Sequence, residues 1–346
     1  MKKIFFSIVA LAALAACSKS EVAYEAPKEI GFTPVKGNVT KAEGLSGTLA
    51  ETQKLGVWAF WNKAVEVEDD GTVSPSDYAE YSDNYLVNAL FQNKTVNSVP
   101  AWGGAGNGYP WPVNGALVFA GYTTPSAAVI ALDDNIDETT VTEVSYNLTE
   151  DKMIFKNYEN TTEFDLCWFG RTDEAYNNYK GTNSAIPVTL SHALTWISIQ
   201  VQASGAPVGW KITSMSLAGV TTKGTATCIG TTATWSSSVT DNLDIYTPEI
   251  SDQHVLTSSP EKLTDNILIP RQPVQLTVNY SFMVNSVEKT DSKTVSLKLN
   301  DANTNNWANG VHYTYTLLFE GNEILVNPSR ENWATPDSAI PAIPVE

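Results

Sequence analysis

Along Val274–Phe282 the residues Val274, Leu276, Val278, Tyr280 and Phe282 alternate with Gln275, Thr277, Asn279 and Ser281. The same period returns in Lys293–Leu299, through Val295, Leu297 and Leu299. It returns again in Val311–Phe319, where Val311, Tyr313, Tyr315, Leu317 and Phe319 alternate with His312, Thr314 and Thr316. A two-residue period sets one face in a core and the other in water, as a strand does and a helix does not. One-sided burial of this kind marks antiparallel sheets rather than βαβ units, whose strands are covered on both faces. No stretch of ten or more residues carries a helical stripe. Leu55–Trp61 is apolar on both faces and reads as a central strand, and Ala116–Tyr122 and Phe164–Phe169 read as buried strands. Glu29–Val35, carrying Ile30 and Phe32, is the leading strand. The expectation is an all-β chain of two tandem antiparallel sandwiches with a boundary near residue 185.

The N-terminus supplies the second constraint. Met1-Lys2-Lys3 precedes the short apolar run Ile4–Ala16, which ends in Leu14-Ala15-Ala16-Cys17. Basic residues, a short apolar core and small residues at a cleavage site make a secretory signal. The run is too short for a membrane span, which needs roughly 20 apolar residues. With cysteine next in line, it is a lipoprotein signal, and Cys17 is the expected acylation site. Each buried CH₂ of an acyl chain contributes about 0.8 kcal/mol, so several chains hold the body to a membrane. The chain is therefore divided into a signal peptide with lipobox (1–17), a tether and first strand (18–41), an N-terminal sandwich (42–185), and a C-terminal sandwich with its tail (186–346).

The formal charge is −17, and loss of Lys2 and Lys3 with the signal makes it −19. A body this acidic excludes nucleic acid and anionic lipid surfaces as partners, because both attract basic faces. Cys167 and Cys228 lie in apolar or Thr-rich strands and read as two buried thiols rather than as a disulfide. His192, His254 and His312 sit in no metal-binding spacing, so neither metal nor cofactor is expected. His312, on the polar side of its strand, reads as solvent-facing or hydrogen-bonded. No nucleophile elbow occurs, and the glycines at 103, 104, 106 and 108 lack a phosphate-loop ending and read as turns. No catalyst is identifiable, and the chain does not read as an enzyme. Trp102 and Trp111, with Tyr109, offer either a stacking platform for sugar rings or a structural staple between strands.

Several stretches, taken in order, resemble the fimbrillin-like pilins of Bacteroidales, which build type V fimbriae. These are Tyr109-Pro-Trp-Pro with Ala116-Leu-Val-Phe-Ala-Gly-Tyr and Pro125, then Phe164-Asp-Leu-Cys-Trp-Phe, then Val188-Thr-Leu-Ser-His-Ala-Leu-Thr-Trp-Ile-Ser-Ile. Ile267-Leu-Ile-Pro-Arg-Gln, Trp307-Ala-Asn-Gly-Val-His-Tyr-Thr-Tyr-Thr-Leu and Trp333 complete the series. The resemblance implies transthyretin-like sandwiches, export as an outer-membrane lipoprotein through Cys17, and assembly into an adhesive surface fimbrium. It also implies proteolysis after a basic residue, here between Lys41 and Ala42, with Lys36 as the next candidate. Cleavage would remove the first strand, expected at a sheet margin, and bare the pockets of Ile30 and Phe32 to a strand donated by another pilin subunit. Four or five docked apolar side chains would contribute roughly 8–12 kcal/mol gross. The donor is expected near the C-terminus, where Ile340, Ile343 and Val345 are interrupted by Pro341 and Pro344, or from Ile324–Val326. A receptor is not readable. The alternative is a surface-retained lipoprotein that binds glycans through Trp102 and Trp111.

Overall fold

The computed structural model describes residues 28–36, 53–73, 77–124, 143–159, 165–177, 179, 185–205, 208–269, 275–297, 307–321 and 323–332. In chain order the strands are β1 (Gly31–Lys36), β2 (Lys54–Asn62), β3 (Thr72–Val73), β4 (Asp83–Val96), β5 (Val99–Gly104), β6 (Ala116–Thr124) and β7 (Glu143–Asn147). Then come β8 (Lys152–Glu159), β9 (Cys167–Phe169), β10 (Ala175–Tyr176), β11 (Ile186–His192), β12 (Thr195–Ser204) and β13 (Lys211–Ile229). The rest are β14 (Thr232–Tyr246), β15 (His254–Val255), β16 (Glu261–Ile269), β17 (Gln275–Val284), β18 (Val287–Ser296), β19 (Val311–Glu320) and β20 (Glu323–Asn332). Single 3-10 turns occur at Tyr78–Glu80 and Ile250–Asp252, and no α-helix occurs among the described residues. The all-β reading stands.

The strands form three sheets. One has the order β2-β4-β5-β1-β11-β9-β6-β10-β3, and β2 also pairs with β6. That extra pairing closes β2, β4, β5, β1, β11, β9 and β6 into a ring, and closure removes the unpaired edges an open sheet would carry. The second sheet has the order β16-β12-β19-β20, and the third runs β18-β17-β13-β8-β7 with β14 and β15 also on β13. Two hairpins turn on Asn-Ser pairs with positive φ at both residues, Asn97–Ser98 between β4 and β5 and Asn285–Ser286 between β17 and β18. A two-residue loop of this hand matches the twist of the strands it joins.

Burial follows the alternation closely. On β17, Leu276, Val278 and Tyr280 are buried, and on β19 so are Tyr313, Tyr315, Leu317 and Phe319. These residues fill the core between the second and third sheets. β2 is buried on both faces, as its sequence implied. Leu55, Val57 and Ala59 face the core that holds Phe32, while Trp58 and Phe60 face a second core shared with Phe155 of β8 and Cys228 of β13.

Two features depart from the sequence reading. The sheets are not purely antiparallel, since β1 lies parallel to β11 and β12 parallel to β19. Alternation reports which face is buried and is silent on strand direction. Pairing also does not break near residue 185. β11 joins the sheet of the first half, and the β7–β8 hairpin joins the sheet of β13.

Candidate functional site

β1 is the segment on which the sequence reading placed its function, and its surroundings are unusual. The expected place was a sheet margin. The chain instead puts β1 inside the ring, antiparallel to β5 at Gly31 and Phe32 and parallel to β11 from Phe32 to Lys36. The correction has a physical reason: Ile30 and Phe32 are both fully buried, and an interior strand is covered on more sides than a marginal one. Phe32 sits among three rings, edge-on to Phe91 at 5.0 Å and to Phe119 at 5.2 Å, with Phe169 at 6.1 Å. Edge-to-face pairs at these separations add to what area burial alone supplies.

The backbone just before β1 is held mostly by side chains. Glu29 N donates to Asn97 Oδ1 at 3.2 Å, and Asn97 Nδ2 donates back to Glu29 O at 2.9 Å. Trp111 Nε1 also donates to Glu29 O, at 3.2 Å, and Trp111 N donates to Lys28 O at 2.9 Å. Ile30 N donates to Tyr109 O at 2.8 Å. Lys94 Nζ pairs with Glu29 Oε1 at 2.7 Å. Gly31 lies directly opposite Gly103, and a Cβ on Gly31 would come within 2.9 Å of Val96 Cγ1. The glycine run is therefore only partly turn: Gly103 and Gly104 belong to β5, and Gly106 and Gly108 take positive φ in the turn that follows.

Trp111 is 2 % exposed, with its ring edge-on to Phe119 at 5.8 Å, and presents no face to a sugar. Trp102 is half-buried, pairs through its backbone with Phe32, and donates from Nε1 to Gln53 O at 3.1 Å. Of the two sequence readings, the staple is the one these contacts fit. Trp111 anchors the start of β1, and its ring is not open to the alternative glycan platform.

Other expected positions separate. Cys17, Lys41, Ala42, Ile340, Ile343 and Val345 lie outside the described residues. Ile324–Val326 lies within β20, paired with Leu317–Phe319 of β19 at the edge of the second sheet. This segment already has a partner in its own chain. His312 is hydrogen-bonded, as read, but it is not solvent-facing. It is 5 % exposed, stacked on Trp196 at 3.7 Å, with Nε2 at 2.8 Å from Ser198 Oγ. Cys167 and Cys228 are buried and not disulfide-bonded, and burial pushes the Cys228 thiol well above its ordinary pKa.

One cluster escaped the sequence reading. Asp165, Cys167 and His192 are all buried, and their ligand-type atoms lie within 4.8 Å of one another. His192 Nδ1 is 3.1 Å from both carboxylate oxygens of Asp165 and 3.5 Å from Cys167 Sγ. The cause is register: His192 of β11 stands directly opposite Cys167 of β9. Thr123 Oγ1 fixes the loop by accepting from Cys167 N at 2.8 Å. Burial, with the charges of Asp165 and Cys167 nearby, raises the pKa of the Tyr158 phenol. The Asp-x-Cys spacing hinted at a shared face, but only the β9–β11 register brings the histidine to it.

Comparison with known proteins adds the following. A family model described as fimbrillin-like matches residues 40–333. A model for a prokaryotic membrane lipoprotein lipid attachment site matches residues 1–18. No curated protein matches the chain. Among solved structures, a candidate cell adhesion protein from Bacteroides uniformis superposes with a TM-score of 0.51 at 13% identity, covering 88% of this chain and 98% of that one. A fimbrial protein from Bacteroides vulgatus gives 0.46 at 15%, covering 88% and 99%. The fimbrial anchor protein Mfa2 from Porphyromonas gingivalis gives 0.33 at 14%, covering 89% and 98%. The first of these supports the fold alone.

Proposed function

Since the chain belongs to the fimbrillin-like family, we propose that it is a structural subunit of a cell-surface fimbrium, assembled by exchange of β1 for a strand of another subunit. It is a lipoprotein by its attachment site, and in this reading acylated Cys17 holds the precursor in the outer membrane, facing outward. Cleavage between Lys41 and Ala42 then frees the segment that carries β1.

The observation that carries the reading is the place of β1 in a closed ring. Withdrawing a marginal strand would bare one edge. Withdrawing β1 would bare two, those of β5 and β11, with the pockets of Ile30 and Phe32 between them. An incoming strand would gain hydrogen bonds on both sides, a stronger form of strand addition than pairing at a single edge. Burial of Ile30 and Phe32 contributes roughly 3–6 kcal/mol gross, and a donor side chain seated in each pocket recovers a comparable amount. Ile340, Ile343 and Val345 of a second copy are the proposed plugs. Proline is tolerated in that slot, because β1 itself carries Pro34 opposite Val188. The filament would mediate adhesion, through a structural role rather than catalysis.

The test is limited trypsin treatment of the purified precursor, followed by electrophoresis without boiling. SDS-resistant ladders that appear only after a cut at Lys41, and vanish when residues 337–346 are deleted, are the expected result. A cut protein that stays monomeric while retaining or losing its first strand would sink the proposal. Intact mass of the cell-derived protein checks acylation of Cys17 and trimming together.

A further inference from the structure

We infer that Asp165, Cys167 and His192 form a binding site for a thiophilic divalent cation, with Zn²⁺ the chemical fit. A thiolate, an imidazole and a carboxylate are all ordinary zinc ligands, bound at about 2.0–2.3 Å in a tetrahedral arrangement. Two ligands at such lengths on a tetrahedron stand roughly 3.3–3.6 Å apart. The observed separations are close to this, 3.5 Å from Sγ to Nδ1 and 3.1 Å from Nδ1 to either carboxylate oxygen. Cys167 Sγ and the Asp165 carboxylate lie within 4.8 Å of each other and would have to draw together for one ion to touch all three.

The occupied site would also be electrically balanced. Asp165 and Cys167 are 1 % and 0 % exposed, and His192 is 4 % exposed. Zn²⁺ takes cysteine as the thiolate and histidine as the neutral imidazole, so with Asp165 ionised the occupied cluster would carry no net charge. The thiol proton leaves to solvent as the ion enters, so binding strengthens with rising pH. Three protein ligands leave one tetrahedral position.

The cluster also sits where a clamp would matter. β11 is paired with β9 only at Ser191 and His192, whereas β1 pairs it over Phe32–Lys36. An ion shared by Cys167 and His192 would tie β11 to β9 independently of β1. This inference stands on side-chain geometry and does not depend on strand exchange.

The experiment loads the full-length lipoprotein in detergent with Zn²⁺ or Co²⁺, removes excess by dialysis, and measures metal per chain. The expected result is one ion per chain, a thiolate-to-cobalt charge-transfer band, and a Tm raised by Zn²⁺. Cys167→Ser and His192→Gln should each lower affinity by about tenfold or more and remove the band or the Tm response. Should a variant fail to fold, loss of the cobalt charge-transfer band when Zn²⁺ displaces Co²⁺ from the unaltered protein provides the second readout. Wild-type protein that retains no ion, or equal retention by Cys167→Ser, overturns the assignment.

Discussion

β12 and β1 are built alike, each lying parallel to one neighbour and antiparallel to the other, yet they are held very differently. β12 meets β19 from Trp196 to Ser204 and β16 from Thr195 to Val201, with Ile197, Ile199 and Val201 in the core between two sheets. β1 meets β11 only from Phe32 to Lys36 and β5 only at Gly31 and Phe32. What its ladders lack is supplied by the Phe32 ring cage and by Asn97, Lys94 and Trp111 reaching the backbone or carboxylate of Glu29. A strand secured by long ladders is part of the fold. A strand secured by one ring and a few side chains completes the fold, and the proposed exchange requires that it be separable.

The sharpest test truncates one core side chain in each strand. Phe32→Ala should cost the intact precursor about 3–5 kcal/mol, and Ile199→Ala about 2–5 kcal/mol. After cleavage and removal of β1, only Ile199→Ala should still matter. Urea unfolding of intact and processed protein checks this. A processed Phe32→Ala protein still weakened by the full amount would mean that β1 stays docked and the two strands do not differ.

A smaller effect separates the two Asn-Ser hairpins. Asn97→Gly keeps the positive-φ turn, which glycine adopts freely, but deletes both side-chain bonds to Glu29. The expected loss is about 1–2 kcal/mol. Asn285→Gly makes the same change in an exposed turn and should be nearly neutral. Hydrogen exchange at Ile30 N would report the difference, rising in Asn97→Gly alone. Equal behaviour of the two variants would remove the clasp from the account.

These contrasts also mark what a sequence can and cannot carry. Alternation identified Leu276, Val278 and Tyr280 of β17 and Tyr313, Tyr315, Leu317 and Phe319 of β19 as buried, since side-chain period is local, but it set Ser281 on the polar face and Ser281 is buried too. His312 was assigned to the polar side of β19, as the alternation demands, yet it is buried because β12 runs parallel beside it and brings Ser198 and Trp196 to it. That neighbour is more than a hundred residues away in the chain, and no local pattern names it. The same holds for Gly103, read as a turn and found facing Gly31 in a ladder, and for the place of β1 between β5 and β11. Asp165, Cys167 and His192 looked unrelated because metal-ligand spacing was sought along the chain, whereas register across β9 and β11 assembles them. Faces are written locally, and neighbours are not.

The smallest expected effect concerns the ion pair between Lys94 and Glu29. Its atoms are 2.7 Å apart, with the two side chains 25% and 20% exposed. Partial burial shields it from salt less than an interior site would, while the stem of Lys94 also loses freedom in making it. Exposed pairs of this kind contribute roughly 0.2–1 kcal/mol. Lys94→Met keeps most of the stem and removes the charge, so it should cost no more than that and should cost less as ionic strength rises. Lys94 Nζ also donates to Gly104 O at 3.2 Å, so part of the loss will persist at high salt. β12 itself carries no charged side chain, and salt should leave exchange at its core residues unchanged. If salt instead loosened β1 and β12 together, the effect would belong to the acidic body as a whole, and the local pair would have no part in holding β1.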